Sequence, residues 1–185
     1  VALAVTLTAG ALSYVAHGAP DGQDVLRVQV AIQVPLADLK DGDLIFRTGR
    51  DLMARVVLAQ GDEARYSHVG IVTMQGRDAF VVHAMPDEDA RPGGVRKEHL
   101  AEFYAPSKAS AVAVYRVEEL SEGARHAIAD YALGQIGKPF DDNFRYSDDS
   151  SLYCTELVLK SLAAGKADLA PATETVQVLT IDESV

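Results

Sequence analysis

The side chains best suited to covalent chemistry in this chain are one cysteine and five histidines. Cys154 stands in Ser150-Ser151-Leu152-Tyr153-Cys154-Thr155-Glu156-Leu157-Val158. The apolar spacing predicts a helix over 152–164, with Ser150 or Ser151 as its N-cap. That puts the thiol in the first helical turn. Unpaired backbone N–H groups and the positive end of the helix dipole there favour a thiolate and lower its pKa. The same N–H groups could receive an oxyanion. The chemistry on offer is nucleophilic attack on a carbonyl. A small buried hydrophobe is the competing reading of a lone cysteine, which can form no intrachain disulfide.

A nucleophilic thiol needs a base close in space rather than in sequence. His17 lies in an apolar N-terminal stretch, and His99 and His126 fall on predicted helices among polar neighbours, where surface positions are expected. His68 opens the β-rich run 68–74 and His83 closes the run 79–84, with Gln75-Gly76-Arg77-Asp78 between them. Two such runs around a short glycine-containing turn form a hairpin, and residues 68 and 83 then meet at its open end. The spacing suggests a His–His–Cys cluster, though two packed core histidines would fit it equally. A Cys/His/His set has zinc-ligand types, but no Cys-x-x-Cys or His-x-x-x-His partner completes it, so neither metal nor cofactor is expected.

The elements that must hold these residues read as follows. Val28, Val30, Ile32 and Val34 alternate with polar or small residues as in a half-buried strand stopped by Pro35, and Leu44-Ile45-Phe46 is a short core strand. Asp51–Gln60 has helical spacing closed by Gly61; 96–104 reads as a short amphipathic helix with Leu100 and Phe103 inward; Ala111–Val117 is a strand. Ser121 caps a helix running to about Gly137, a polar loop covers 141–150, and 175–181 could add a strand. A hairpin sheet with segregated helices is an α+β arrangement.

Four segments in order, Asp43-Leu44-Ile45-Phe46-Arg47, Ser67-His68-Val69-Gly70-Ile71-Val72, Gly137-Lys138-Pro139-Phe140-Asp141 and Tyr153-Cys154-Thr155-Glu156-Leu157-Val158, resemble the sequential motifs of the YiiX/YebB-like family. That family belongs to the NlpC-type papain-like superfamily. The resemblance spans about residues 36–164 and implies a circularly permuted papain-like fold: an antiparallel sheet with helices packed against it, histidine strand first, catalytic cysteine last at a helix N-terminus. Carried over by position, it makes Cys154 the nucleophile and His68 the general base. The third residue, which orients the base, falls at His83, where many relatives carry a carboxylate and the similar lecithin:retinol acyltransferase-like proteins a histidine. Glu156 is motif scaffolding. The implied reaction is amide hydrolysis through a thioester acyl-enzyme, on a peptide or acyl-amide substrate such as a cell-wall peptide. A lipid acyl hydrolase or acyltransferase is the alternative enzyme, and a non-catalytic binding module the alternative class. Substrate choice would lie in the loops 87–94 and 141–150.

The bulk numbers agree with a single domain over 21–185. The 185 residues suffice for one core, and 17 Lys and Arg against 27 Asp and Glu give a net charge of −10. Such a charge repels phosphate backbones, so nucleic acid is not an expected partner. Residues 1–20, VALAVTLTAGALSYVAHGAP, carry no Asp, Glu, Lys or Arg and end in small residues before Pro20. They read as a secretory signal or a membrane anchor, which places the domain in the periplasm or against the envelope membrane. A chain beginning near Asp21 is therefore expected to remain soluble, to fold and to keep its thiol chemistry, as circular dichroism and thiol titration would show. Aggregation of that shortened chain would instead make the segment part of the core.

Overall fold

The structure, a computed structural model, describes residues 31–59, 65–88 and 91–167. The apolar N-terminal stretch with His17, the start of the first strand and the strand expected at 175–181 lie outside these residues. Among the described residues no helix is long and apolar enough to cross a membrane.

The elements run β1 (Ala31–Val34), a 3-10 turn (Leu36–Asp38), β2 (Leu44–Gly49), α1 (Leu52–Leu58), β3 (His68–Gln75) and β4 (Asp78–Met85). They continue with β5 (Gly94–His99), α2 (Leu100–Phe103), β6 (Ala109–Val117), α3 (Glu122–Gly134) and α4 (Cys154–Ala164). The strands form one sheet in the order β1-β6-β2-β3-β4-β5, every pair antiparallel. The hairpin expected around residues 75–78 is present, with Gln75 opposite Asp78 and Gly76-Arg77 as a two-residue turn. Gly76 has φ +63° while Arg77 keeps a negative φ, the pattern of a turn that needs glycine only at its first central position.

Alternation sends side chains to two different layers. Leu44, Phe46, Val69, Ile71, Val82, Ala84, Val95, Ala113 and Tyr115 face a core closed by Ile128 and Ala132 of α3 and by Leu157, Val158 and Leu162 of α4. The opposite face carries Ile45, Val72, Val81 and Val114 under Phe103 of α2. Burial on both faces makes the central strands nearly continuous apolar runs instead of strict alternations, which is why β3 and β4 stand out in the sequence.

Two expectations are corrected. Residues 94–99 are a strand, not the start of a helix, and only Leu100–Phe103 make a helical turn. β5 pairs with β4 and buries Arg96 and Glu98 on one face, where Arg96 pairs with Glu88 at 2.9 Å and Glu98 with Lys108 at 3.2 Å. The last helix begins at Cys154 with Tyr153 as a cap that makes no side-chain bond, so neither serine caps it. Ser121 does cap α3, accepting from the Ala124 N–H.

One buried ion pair ties the early and late parts of the chain. Asp43, fully buried ahead of β2, accepts from Arg116 Nε at 2.8 Å and Nη2 at 2.7 Å, and from the Lys40 N–H at 2.8 Å. Arg116 also reaches Asp38 Oδ2 at 3.1 Å. Removing one partner of such a pair strands the other charge in the interior. Asp43→Ala is expected to destabilise the fold by roughly 3–5 kcal/mol, read as a fall in the urea midpoint. A midpoint unchanged within error would show that Arg116 finds water or another acceptor.

Candidate active site

His68 opens β3 and lies opposite Arg47 in the β2–β3 register. Its Nε2 is 2.8 Å from His83 Nδ1 on β4, with the rings nearly edge-on at a centroid distance of 5.0 Å. The pair expected from hairpin spacing is therefore a direct hydrogen bond. Gly70 permits it: a Cβ there would stand 3.0 Å from His83 Cβ and 2.5 Å from Val81 Cγ1. Phe103 lies over both rings, 5.7 Å from His68 and 5.2 Å from His83. Arg47 lies over Phe103 in turn, its guanidinium 4.7 Å from the ring centre and its Nη1 donating to the Phe103 carbonyl at 2.9 Å.

The far side of His83 meets a carboxylate. His83 Nε2 is 3.5 Å from Glu98 Oε2, and both side chains are almost wholly buried. At that length the contact is chiefly electrostatic rather than a well-formed hydrogen bond. Lys108 Nζ at 3.2 Å and Arg91 Nη1 at 3.4 Å also approach Glu98. Its carboxyl is held down to about 2, first by His83, against the effect of burial, and then by Lys108. Burial pushes His83 down to about 4, although Glu98 pulls the other way. Burial, with His83, Arg47 and Arg96 nearby, takes His68 well below the ordinary imidazole range. Both imidazoles are neutral at pH 7.

Cys154 is the first residue of α4 and is half-buried against the core beneath β3. The β3–β4 register begins at Ile71↔Val82, and the N–H of Val69, two residues beyond that pair, is turned to the Cys154 sulfur. The N–H groups of Thr155 and Cys154 face it as well. They favour the thiolate, but burial outweighs them and pushes the thiol up from its ordinary value. The expectation of a lowered pKa is thus reversed: the dipole and N–H groups are present, and desolvation is larger. Among the described residues the hydrogen bond of His68 goes to His83 and not to the sulfur. The thiol lies against the backbone at Val69, the residue after His68.

Set against known proteins, residues 38–183 match the family described as "Permuted papain-like amidase enzyme, YaeF/YiiX, C92 family". The chain belongs to this family. It is 28% identical over 137 residues to the uncharacterized protein YiiX of Escherichia coli K12, a match covering 74% of this chain and 63% of YiiX. A solved structure, described as the metalloprotein YiiX from Escherichia coli O157:H7, matches with a TM-score of 0.59 at 27% identity, over 69% of this chain and 67% of that one. These matches make the fold a permuted papain-like α+β fold and place the chain in a family of cysteine-type amidases. Among the described residues no group of three or more His, Cys, Asp and Glu side chains is arranged to hold a metal ion.

Other residues singled out in the sequence stand apart from the His68–His83 pair. His99 ends β5 and caps α2, and His126 lies on α3; both are exposed, though His99 is not helical. Glu156 is fully buried and pairs with Lys160 at 2.8 Å, a structural setting in keeping with scaffolding. Glu98, Arg47 and Phe103 were not singled out from the sequence as site residues. A strand reading of 94–99 would have put Glu98 and Arg96 on the face of His83 and was the one signal available.

Burial of neutral histidines links this site to acid sensitivity. An unfolded His83 takes up its proton near 6.5, the folded one only near 4, so the unfolded chain binds more protons between those values. Stability is then complete above about pH 6.5 and falls as the pH drops toward 4, by on the order of 3 kcal/mol from this group. Glu98, held near 2, loses its own contribution only at lower pH. Urea midpoints measured between pH 7.5 and 4.5 are expected to fall, and to fall less for His83→Gln. Parallel slopes would mean that other groups carry the acid response.

Proposed function

We propose that this chain is a cysteine amidase acting through a thioester, with Cys154 as nucleophile, His68 as base and His83 orienting it. The observation that carries the reading is the buried His68–His83 hydrogen bond together with a thiol in the first turn of α4, whose negative form is favoured by the backbone at Val69, the residue after His68. The resting pair is a neutral thiol and a neutral imidazole, so proton transfer accompanies attack. His68 Nε2 is engaged with His83, which leaves Nδ1 to take the thiol proton as sulfur bonds to the substrate carbonyl carbon. The carbonyl oxygen becomes an oxyanion beside the N–H groups at the α4 N-terminus, which stabilise it. His68 then protonates the nitrogen, the C–N bond breaks and the amine leaves a thioester. Water, giving its proton to His68, attacks the thioester; the acid product departs and the imidazolium returns its proton to sulfur.

The substrate we favour is an amide in an envelope or cell-wall peptide, a reading supported by the family description and by the export-like apolar stretch 1–20. One observation favours a lipid acyl ester instead. Phe144 and Tyr146 are exposed on the loop ahead of α4, and the Phe144 ring is 5.3 Å from Tyr153, next to the nucleophile. Incubation with muropeptides and, separately, with phospholipid vesicles, followed by mass spectrometry of products and of Cys154 adducts, decides between them. On the true substrate, Cys154→Ser is expected to lower kcat at least ~10⁴-fold with the fold intact. His68→Ala should cost roughly 10²–10⁴-fold and His83→Ala less, since one moves the proton and the other orients it. Full turnover by Cys154→Ser, or a larger loss at His83 than at His68, would overturn these roles.

A further inference from the structure

Both histidines use one nitrogen on each other, so two proton placements are open to the pair. In one, His68 Nε2–H donates to His83 Nδ1, and His83 carries its own proton on Nε2. In the other, His83 Nδ1–H donates to His68 Nε2, and His83 Nε2 presents a lone pair. What faces His83 Nε2 decides between them, because the partner of one ring nitrogen fixes the tautomer of the whole imidazole. His83 Nε2 makes no well-formed hydrogen bond; the charge it faces is Glu98 Oε2 at 3.5 Å, and His83 is only 1% exposed, so bulk water does not substitute for it. Glu98 is diagonal to His83 across the β4–β5 ladder, where Val81 pairs with Glu98 and His83 with Arg96.

We propose that Glu98 is a positioning residue: its carboxylate keeps the His83 proton on Nε2, which makes His83 Nδ1 the acceptor for His68 Nε2–H and leaves His68 Nδ1 bare for the thiol proton. The inference rests on the roles given above to Cys154 and His68. Placing a lone pair on His83 Nε2 would set it against the carboxylate oxygen, like charge against like in a dry interior. Every charged group around Glu98 holds it ionised: Lys108 at 3.2 Å, Arg91 at 3.4 Å and Arg96 Nε at 3.7 Å. Arg47 and Arg96 near the rings oppose an imidazolium at His68, so the relay is one of neutral tautomers and not of a standing ion pair. Glu98 touches neither the sulfur nor, in this reading, the substrate.

Long-range 15N–1H correlation on the full chain reads ring tautomers without substrate or turnover. Between pH 6.5 and 8 the wild type is expected to show both His68 and His83 protonated at Nε2. Glu98→Ala should bring in an Nδ1–H form of His83 to tens of per cent and lower kcat roughly 10- to 100-fold with KM unchanged. Glu98→Gln, which keeps an oxygen acceptor, should restore most of the Nε2–H form. Lys108→Ala, which removes a charge from the same cluster without touching His83, should leave the tautomers as in wild type. A wild-type His83 protonated at Nδ1 would overturn the proposal whether or not the variants fold, and so would unchanged tautomers in Glu98→Ala. Failure of the nucleophile assignment is separate, because it shows in Cys154→Ser turnover and not in these spectra.

Discussion

The buried hydrogen bond between His68 and His83 is the contact around which this side of the sheet is arranged. Two imidazoles 2.8 Å apart in a dry interior tolerate no random protonation. They demand an acceptor on one side, a thin backbone beneath and an apolar lid above. Glu98, Gly70 and Phe103 supply these. Arg47, spread over Phe103 and bonded to its carbonyl, fastens the lid to β2.

The same burial shapes the thiol. A helix N-terminus stabilises negative charge, and Cys154 sits at one, yet removal of water from the sulfur is the larger effect. The result is a pair of neutral groups rather than a standing thiolate–imidazolium pair. In the proposed mechanism such a centre gains its charge only as a substrate carbonyl accepts electrons, and the backbone N–H groups that favour negative charge at the sulfur would then hold the oxyanion. The ladder joining β3 to β4 stops short of Val69, beginning at Ile71 opposite Val82.

Two polar clusters on the sheet do different work. Asp43 with Arg116 joins the turn before β2 to the end of β6, and thereby fixes the central strands that carry Arg47 and face His68. Glu98, with Arg96, Arg91 and Lys108, lies at the other edge and faces the imidazoles. Each is a carboxylate buried among cations, the condition under which a charge is retained in an interior.

The sequence by itself determined the hairpin, its turn at Gly76, the Ser121-capped helix and the order His68, His83, Cys154. Periodicity and turn chemistry are local properties, and motif order is read directly along the chain. It also placed Cys154 in the first turn of a helix, though not the cap, since an uncapped start at Tyr153 has no local signature. Only the tertiary structure decided that residues 94–99 are a strand, because Arg96-Lys97-Glu98 reads as solvent-facing until β4 lies beside it and opposite charges meet across the fold. It alone decided the state of the thiol, for desolvation depends on what packs over the sulfur and the helix position does not reveal that. The contact of Glu98 with His83 was hidden for the same reason: it crosses strands, 15 residues apart in sequence and 3.5 Å apart in space.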